Sequence, residues 1–310
     1  METKQVDYRL CLDDSAKLKG IAIVLIIISH VAGMFQIRYF TPCGGIGVAL
    51  FLFVAGYGLS ESFDRNGLKN FWKKRLIVVL VPYFMVEILA VVIIPQRNAV
   101  SVIKSLLLIE PRKSQIWYLQ YLFLCYICFW CTYKFVSKKY RLLVLLMLAI
   151  LSFFLLKEIA AEQALSFWCG CLFSEKKGLF EKLHRVSVVL LLFGVIMLAF
   201  KQLDLVRNAS PIIINCVQLS IKLPIALYLV DMVTQMPTIM KYLYMEKIGK
   251  VSYELYLIHI NFLYLVRANI WSLMLFVVLT TVGAVMLHLI VIRINRNLMK
   301  DRNVKETRAV

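Results

Sequence analysis

Long apolar runs alternate with short basic segments along most of the chain. Ten runs of 16 to 23 residues are long enough to be read as membrane-crossing helices: 18–37, 44–62, 76–94, 116–136, 142–157, 159–175, 185–201, 211–231, 249–266 and 270–292. The fifth and sixth are short and are parted only by Lys157-Glu158. The pattern predicts one all-α, polytopic bundle of about ten transmembrane helices over residues 1–310, ending in a basic tail at 293–310. The first run has the basic start and apolar centre of a signal peptide. It lacks a small-x-small cleavage site and runs on to about residue 37, so it is read as a span. The longest connection on the outer side, 95–115, carries Val100, Ile103, Lys104 and Leu107 at helical spacing. It is read either as a short amphipathic helix on the membrane surface or as a packed loop.

Charge placement orients this bundle. With both termini cytoplasmic, the inner segments hold 26 of the 36 Lys and Arg, the outer segments hold nine, and Lys222 lies within a span. The bias holds segment by segment, as positive-inside topology requires. The formal net charge of +18 could point to nucleic acid, but the cations cluster between apolar runs and that partner is excluded. A 61% hydrophobic composition and mean hydropathy of +0.78 exclude a soluble globular domain. Eight cysteines give no disulfide framework. Cys125, Cys128 and Cys131 have metal-like spacing, but they fall inside an apolar helix with no second Cys or His cluster, so packing is the better account and no metal is expected.

Ionisable side chains at lipid depth are costly and mark function. His30, Glu87, Lys222 and His259 fall near the middle of their runs, and Glu162, Glu254 and His288 nearer an end. Several such groups need a shared polar cavity or mutual pairing, Glu87 with Lys222 being one such pair. The run Lys19–His30 stands out. Eleven positions separate the two residues, close to three helical turns, so both side chains share a face about 16 Å apart. A snorkelling lysine with a packed histidine satisfies this pattern. So does a cation gripping an anionic ligand at the surface while the imidazole works deeper in. A neutral histidine beside a carboxylate is a general base for a hydroxyl, which suits acyl transfer to an alcohol. It equally suits proton-coupled transport.

Five stretches together resemble the membrane-bound acyltransferase family 3, the bacterial O-acetyltransferases of cell-surface polysaccharides. The first is Lys19 with His30, like the family's basic residue upstream of a catalytic histidine. Gly47-Val48-Ala49-Leu50-Phe51-Leu52-Phe53-Val54-Ala55-Gly56-Tyr57 is similar to its Gly-Val-x-x-Phe-Phe-x-x-Ser-Gly-Phe. Phe71-Trp72-Lys73-Lys74-Arg75 followed by Pro82-Tyr83 is like its basic loop before a helix proline. Ile116-Trp117-Tyr118-Leu119 is like its Trp-Phe-Leu, and Ser252-Tyr253-Glu254-Leu255-Tyr256-Leu257-Ile258-His259 like its Ser-Tyr-x-x-Tyr-Leu-x-His. The order matches over nearly the whole chain. Lysine stands at 19 where arginine is usual, Ala49 where a carboxylate is often found, Ala55 where serine is common and Val78 where a second arginine often follows.

The resemblance implies a membrane O-acyltransferase of the bacterial cytoplasmic membrane. The donor would be acetyl-CoA or another acyl-CoA, as substrate rather than tightly bound cofactor. The acceptor would be a hydroxyl of a cell-surface polysaccharide or lipid-linked glycan. His30, Glu87 and His259 are the expected catalytic residues, and Lys19, Lys73, Lys74 and Arg75 the expected grip on the CoA phosphates. Positive-inside topology accounts for the same basic loop. A proton-coupled transporter using the buried His and Glu residues, and an inactive scaffold, are the competing readings.

Overall fold

In the computed structural model the described residues are 10–93, 98–236, 239, 243–267 and 269–307, the side chains of 158, 295 and 297–307 excepted. Of the cations used for the topology, Lys4, Arg9, Arg97, Lys241, Arg308 and the side chains of Lys300, Arg302 and Lys305 lie outside them, as does Ile94 at the end of the third run. The described residues contain helices and no strand. Seven helices are long and apolar enough to cross a membrane: Leu12–Met34, Arg38–Asn66, Phe71–Ile93, Ser114–Phe135, Leu179–Phe200, Pro211–Gln235 and Ile270–Ile294.

The chain divides into two compact units. The first is Met1–Lys69 with Trp117–Lys250. It opens with α1 (Leu12–Met34), whose start is fixed by a capping box: Cys11 Sγ accepts from the Asp14 amide, and the Asp14 carboxylate takes the Cys11 amide. The helix thus begins six residues before the apolar run, and Asp13 and Asp14 sit favourably on its N-terminal dipole. Lys17 lies inside the helix, buried and paired to Asp14 at 2.9 Å. α2 (Thr41–Asn66) is the core of this unit, with Ile46 to Val54 buried in unbroken succession. Around it come α6 (Trp117–Phe135), α7 (Arg141–Leu155), α8 (Glu158–Ala161), α9 (Ala164–Glu175), α10 (Leu179–Phe200), α11 (Asp204–Arg207), α12 (Pro211–Gln235) and α13 (Met245–Lys250). α2 packs on α1, α9 and α12, and α10 lies along α12.

The second unit is Asn70–Ile116 with Val251–Val310. It holds α3 (Phe71–Arg75), a π-helical turn at Leu76–Leu80, α4 (Val81–Ile93), α5 (Ala99–Leu106), α14 (Ser252–Phe262) and α15 (Ile270–Thr307). Pro82 has no N–H for the ordinary ladder, and the wider turn just before it absorbs that loss: the Val81 amide reaches back to the Leu76 carbonyl. α5 is the amphipathic helix expected in 95–115. Asn98 caps it by accepting from the Ser101 amide at 2.7 Å, and Val100, Ile103 and Leu107 are exposed.

Three of the ten expected spans are not single long helices. The run 142–157 is α7, 15 residues or about 22 Å, short of the ~30 Å hydrocarbon core. The run 159–175 is broken at Glu162-Gln163 into α8 and the 12-residue α9. The run 249–266 is broken at Val251 and contributes the 11-residue α14 and a 3-10 turn at Leu263–Leu265. The break at 162–163 survives because its polar groups are met by protein. The Gln163 amide bonds the Ala160 carbonyl at 3.0 Å, and Gln163 Nε2 donates to the Gly45 carbonyl at 2.9 Å.

Glycine sets the closest helix contacts. A Cβ on Gly56 would strike the Phe167 carbonyl of α9, and one on Gly170 the Phe53 carbonyl of α2. A Cβ on Gly249 of α13 would strike the Ala16 carbonyl of α1. Elsewhere apolar side chains point outward in rows: Val188, Val189, Leu192 and Ile196 on α10, and Leu275, Val278, Val282 and Leu289 on α15. Such faces belong in hydrocarbon.

Candidate active site

The first polar cluster is built on α1. Ala22 and Ile26 face α2 across Gly47, and Ser29 faces Gly44 one turn on, its Oγ donating to the Thr41 carbonyl at 3.1 Å. Ala16 and Gly20 face α13. At about 100° per residue, Lys19 and His30 lie within about 20° of each other, on the strip between those two faces. Both are half-buried. The shared face expected from their spacing is therefore present, and it runs along the seam that α1 makes between α2 and α13.

Beside Ser29, the start of α2 meets a buried ion pair. Lys222 of α12 is 6% exposed and pairs with Glu162 at the α8–α9 break. The lysine stem lies directly on Gly45, where any Cβ would collide with its Cε. Gln163 ties the same break to the Gly45 carbonyl, and Ser166 Oγ donates to Gln163 Oε1 at 3.3 Å. The partner of Lys222 is thus Glu162 and not Glu87. Sequence could place each charge at depth but could not say which helix it would face.

The second unit has its own cluster, around Glu87. This carboxylate is 2% exposed and accepts from Ser105 Oγ at 2.9 Å and from the Arg112 guanidinium at 3.4 Å. Arg112 also donates to Asn261 Oδ1, its amide donates to Ser105 Oγ at 3.2 Å, and Tyr83 OH donates to the Ser105 carbonyl at 2.7 Å. Asn261 lies two residues past His259, which is 0% exposed. His259 Nδ1 meets the Leu255 carbonyl at 2.9 Å. A carbonyl only accepts, so Nδ1 carries the proton and Nε2 is the basic position of the neutral ring. Tyr253 OH donates to the Val79 carbonyl and Tyr256 OH to the Gln115 carbonyl, at 2.7 and 2.6 Å. The two tyrosines of the Ser-Tyr-x-x-Tyr stretch therefore anchor the helix that carries His259.

Of the expected basic mouth, Lys73 and Lys74 are exposed on α3, and Arg75 is half-buried with its guanidinium 5.8 Å from the Phe71 ring centre. Lys19 belongs to the other unit. Two histidines have carboxylate partners near the ends of helices: His288 Nδ1 with Glu254 at 2.8 Å, and His184 with Asp231 at 3.3 Å. No group of three metal-ligating side chains occurs among the described residues.

Sequence reading missed Ser105, Arg112, Asn261, Gln163, Asn215 and Gln218 as cluster members. Arg112 had been counted only as a loop cation. Asn215, Gln218 and Lys222 carried a legible signal, since spacings of three and four put them on one face of an apolar helix.

The family model of acyltransferase 3, described as an acyltransferase domain, matches residues 17–293. No curated protein matches the chain, and no solved structure does.

Proposed function

The chain belongs to the acyltransferase 3 family, and we propose on that footing that it transfers an acetyl group from acetyl-CoA to a glycan hydroxyl. The family and the seven long apolar helices make it a membrane acyltransferase. Acetyl as the group transferred, CoA as its carrier and a cell-surface polysaccharide or lipid-linked glycan as the acceptor are the proposed particulars. The observation that carries them is the strip of α1 that bears Lys19 and His30 on one side, about 16 Å apart.

In this scheme Lys19 holds the CoA phosphates near the cytoplasmic end; Lys73, Lys74 and Arg75, which belong to the second unit, are the further cations proposed for the donor. The pantetheine arm then spans the strip and brings the thioester toward His30. The His30 imidazole takes the proton of the acceptor hydroxyl as its oxygen attacks the thioester carbonyl. The C–S bond breaks, and the imidazolium returns the proton to the CoA thiolate. Water must be kept out, or the thioester is hydrolysed. His259, with Nε2 as its basic atom, and Glu87 are the second imidazole and the carboxylate of the proposal. Ten crossings with both termini cytoplasmic, in a bacterial cytoplasmic membrane, complete it; the 26-to-9 cation bias supports that topology. The transporter reading has no family match in its favour.

The test is transfer of label from acetyl-CoA to a glycan fraction by membranes containing the protein, with mass spectrometry of the surface glycan in cells with and without it. Label on the glycan and an acetyl mass that vanishes with the protein are expected. Movement of a substrate without consumption of donor would overturn the reading.

A further inference from the structure

We propose that the groove between α7 and α12 binds a lipid-linked sugar phosphate, with its head at Asn215 and Lys157 and its tail running along α7. The proposal rests on the glycan-acyltransferase reading and names the acceptor's form and its seat.

Two adjoining cavities make the groove. The first, about 580 Å³, is lined by Phe153, Phe154, Lys157, Ile159, Pro211 and Asn215, among others. The second, about 300 Å³, shares Phe153 and Phe154 and continues past Ile150, Leu165 and Leu219. On α12 its lining residues, Cys216, Leu219 and Ser220, lie further from the N-terminus than Pro211, Ile212 and Asn215. At 1.5 Å per residue the step from Asn215 to Leu219 is about 6 Å along the helix. On α7 and just past its end the order is reversed, Ala149 and Ile150 of the second cavity preceding Leu156 and Lys157 of the first, so the cavities follow one another along two antiparallel helices.

The head end is polar in a particular manner. Asn215 is 6% exposed, yet its Oδ1 has no hydrogen-bond partner. A buried amide oxygen left unmet costs free energy and is rare in native proteins. Gln218 Oε1, one turn further along α12, is also without a partner, though it lines neither cavity. Asn215 Oδ1 only accepts, so it calls for a ligand with hydroxyl or N–H donors. A phosphate diester has none, whereas a sugar has several. Lys157, exposed at the same cavity, makes no ion pair among the described residues and supplies the positive charge for a phosphate. The Phe153 and Phe154 rings, 5.3 Å apart and edge to face, stand where the cavities join and offer apolar surface to a C–H-rich sugar face. Hydrocarbon fits the second cavity, whose walls are almost wholly aliphatic and aromatic. Hydroxyls, one phosphate and a chain, in that order, describe a sugar carried on a lipid phosphate. From its head end the polar face of α12 continues through Gln218 to the Lys222–Glu162 pair beside Ser29.

Native mass spectrometry of the full chain in detergent tests this with farnesyl phosphoglucose, farnesyl phosphate and phosphatidylglycerol as probes, without acyl donor. Farnesyl phosphoglucose should bind about five- to tenfold more tightly than farnesyl phosphate, the worth of one or two buried hydrogen bonds. Asn215→Leu should erase that difference. Lys157→Ala, at an exposed position that leaves packing untouched, should weaken both farnesyl probes about fivefold. Equal binding of the two farnesyl probes to the wild type, or displacement of farnesyl phosphoglucose by an equal amount of phosphatidylglycerol, would overturn the site without recourse to a variant. Sugar-selective binding by a protein that acylates no glycan would keep the site and sink the acyltransferase reading. Glycan acylation without sugar-selective binding would sink the site alone.

Discussion

Glu87 and Glu162 are both buried carboxylates in apolar surroundings, each in its own unit, and each faces a cation. Around Glu87 the carboxylate itself is fully engaged, while the buried Arg112 Nε has no hydrogen-bond partner. Ser105 and Arg112 donate to it, Asn261 takes a further guanidinium bond, and Tyr83 and the Arg112 backbone hold Ser105. Around Glu162 the account closes on one side only. Lys222 and the Gln163–Gly45 contact lie below, and above them on α12 stand two amide oxygens with no partner. The Glu87 network leaves one buried donor unmet, and the α12 side of the Glu162 network leaves two acceptors. The two sites thus differ in the kind of group each would welcome, which burial does not report, since both carboxylates are buried.

The widest gap between the two should appear as loss of turnover against loss of stability. His30→Ala should lower acyl transfer by about 10²- to 10⁴-fold, measured with labelled acetyl-CoA, and leave the unfolding midpoint nearly unmoved. Full activity in that variant would remove His30 from the mechanism. Glu87→Ala should in addition destabilise the protein, by about 3–5 kcal/mol in detergent unfolding, because it strands the Arg112 charge. A wild-type midpoint there would mean that the Arg112 charge is met without Glu87. The double change Lys222→Met with Glu162→Leu removes both charges together. Its unfolding free energy should stay within about 2 kcal/mol of wild type, while transfer to the glycan drops at least about tenfold. Unchanged transfer would make this pair a structural one. Lys19→Ala should raise the apparent KM for acetyl-CoA about five- to tenfold with kcat little altered. A change seen only in acceptor kinetics would misplace the CoA. The smallest effect belongs to Tyr256→Phe, which should cost about 1 kcal/mol of stability through the lost bond to Gln115.

What could be read in advance divides along physical lines. Seven spans were legible because each coincides with a helix of 18 residues or more that has an apolar centre. α5 was legible from four residues at helical spacing. The breaks at 162–163 and 251 were not, because hydropathy reports what a segment is soluble in and not where its ladder of hydrogen bonds stops. The common strip of Lys19 and His30 was legible because both lie on one helix of known period. Partnerships across helices were not: Lys222 with Glu162, Arg112 with Glu87 and Asn261, and His288 with Glu254 each need the fold before they can be named.

Gly47 and Gly56, the two glycines of the stretch most readily recognised, touch no reacting group. They let α2 rest on the Ala22 and Phe167 carbonyls of its neighbours. A signature resting on them therefore gauges how near two backbones come. It will admit a descendant that has discarded its reaction as readily as one that still performs it, provided the helices remain equally close. Sorting working enzymes from silent kin must accordingly look to the polar side chains of α1 and of α12, which no backbone approach specifies.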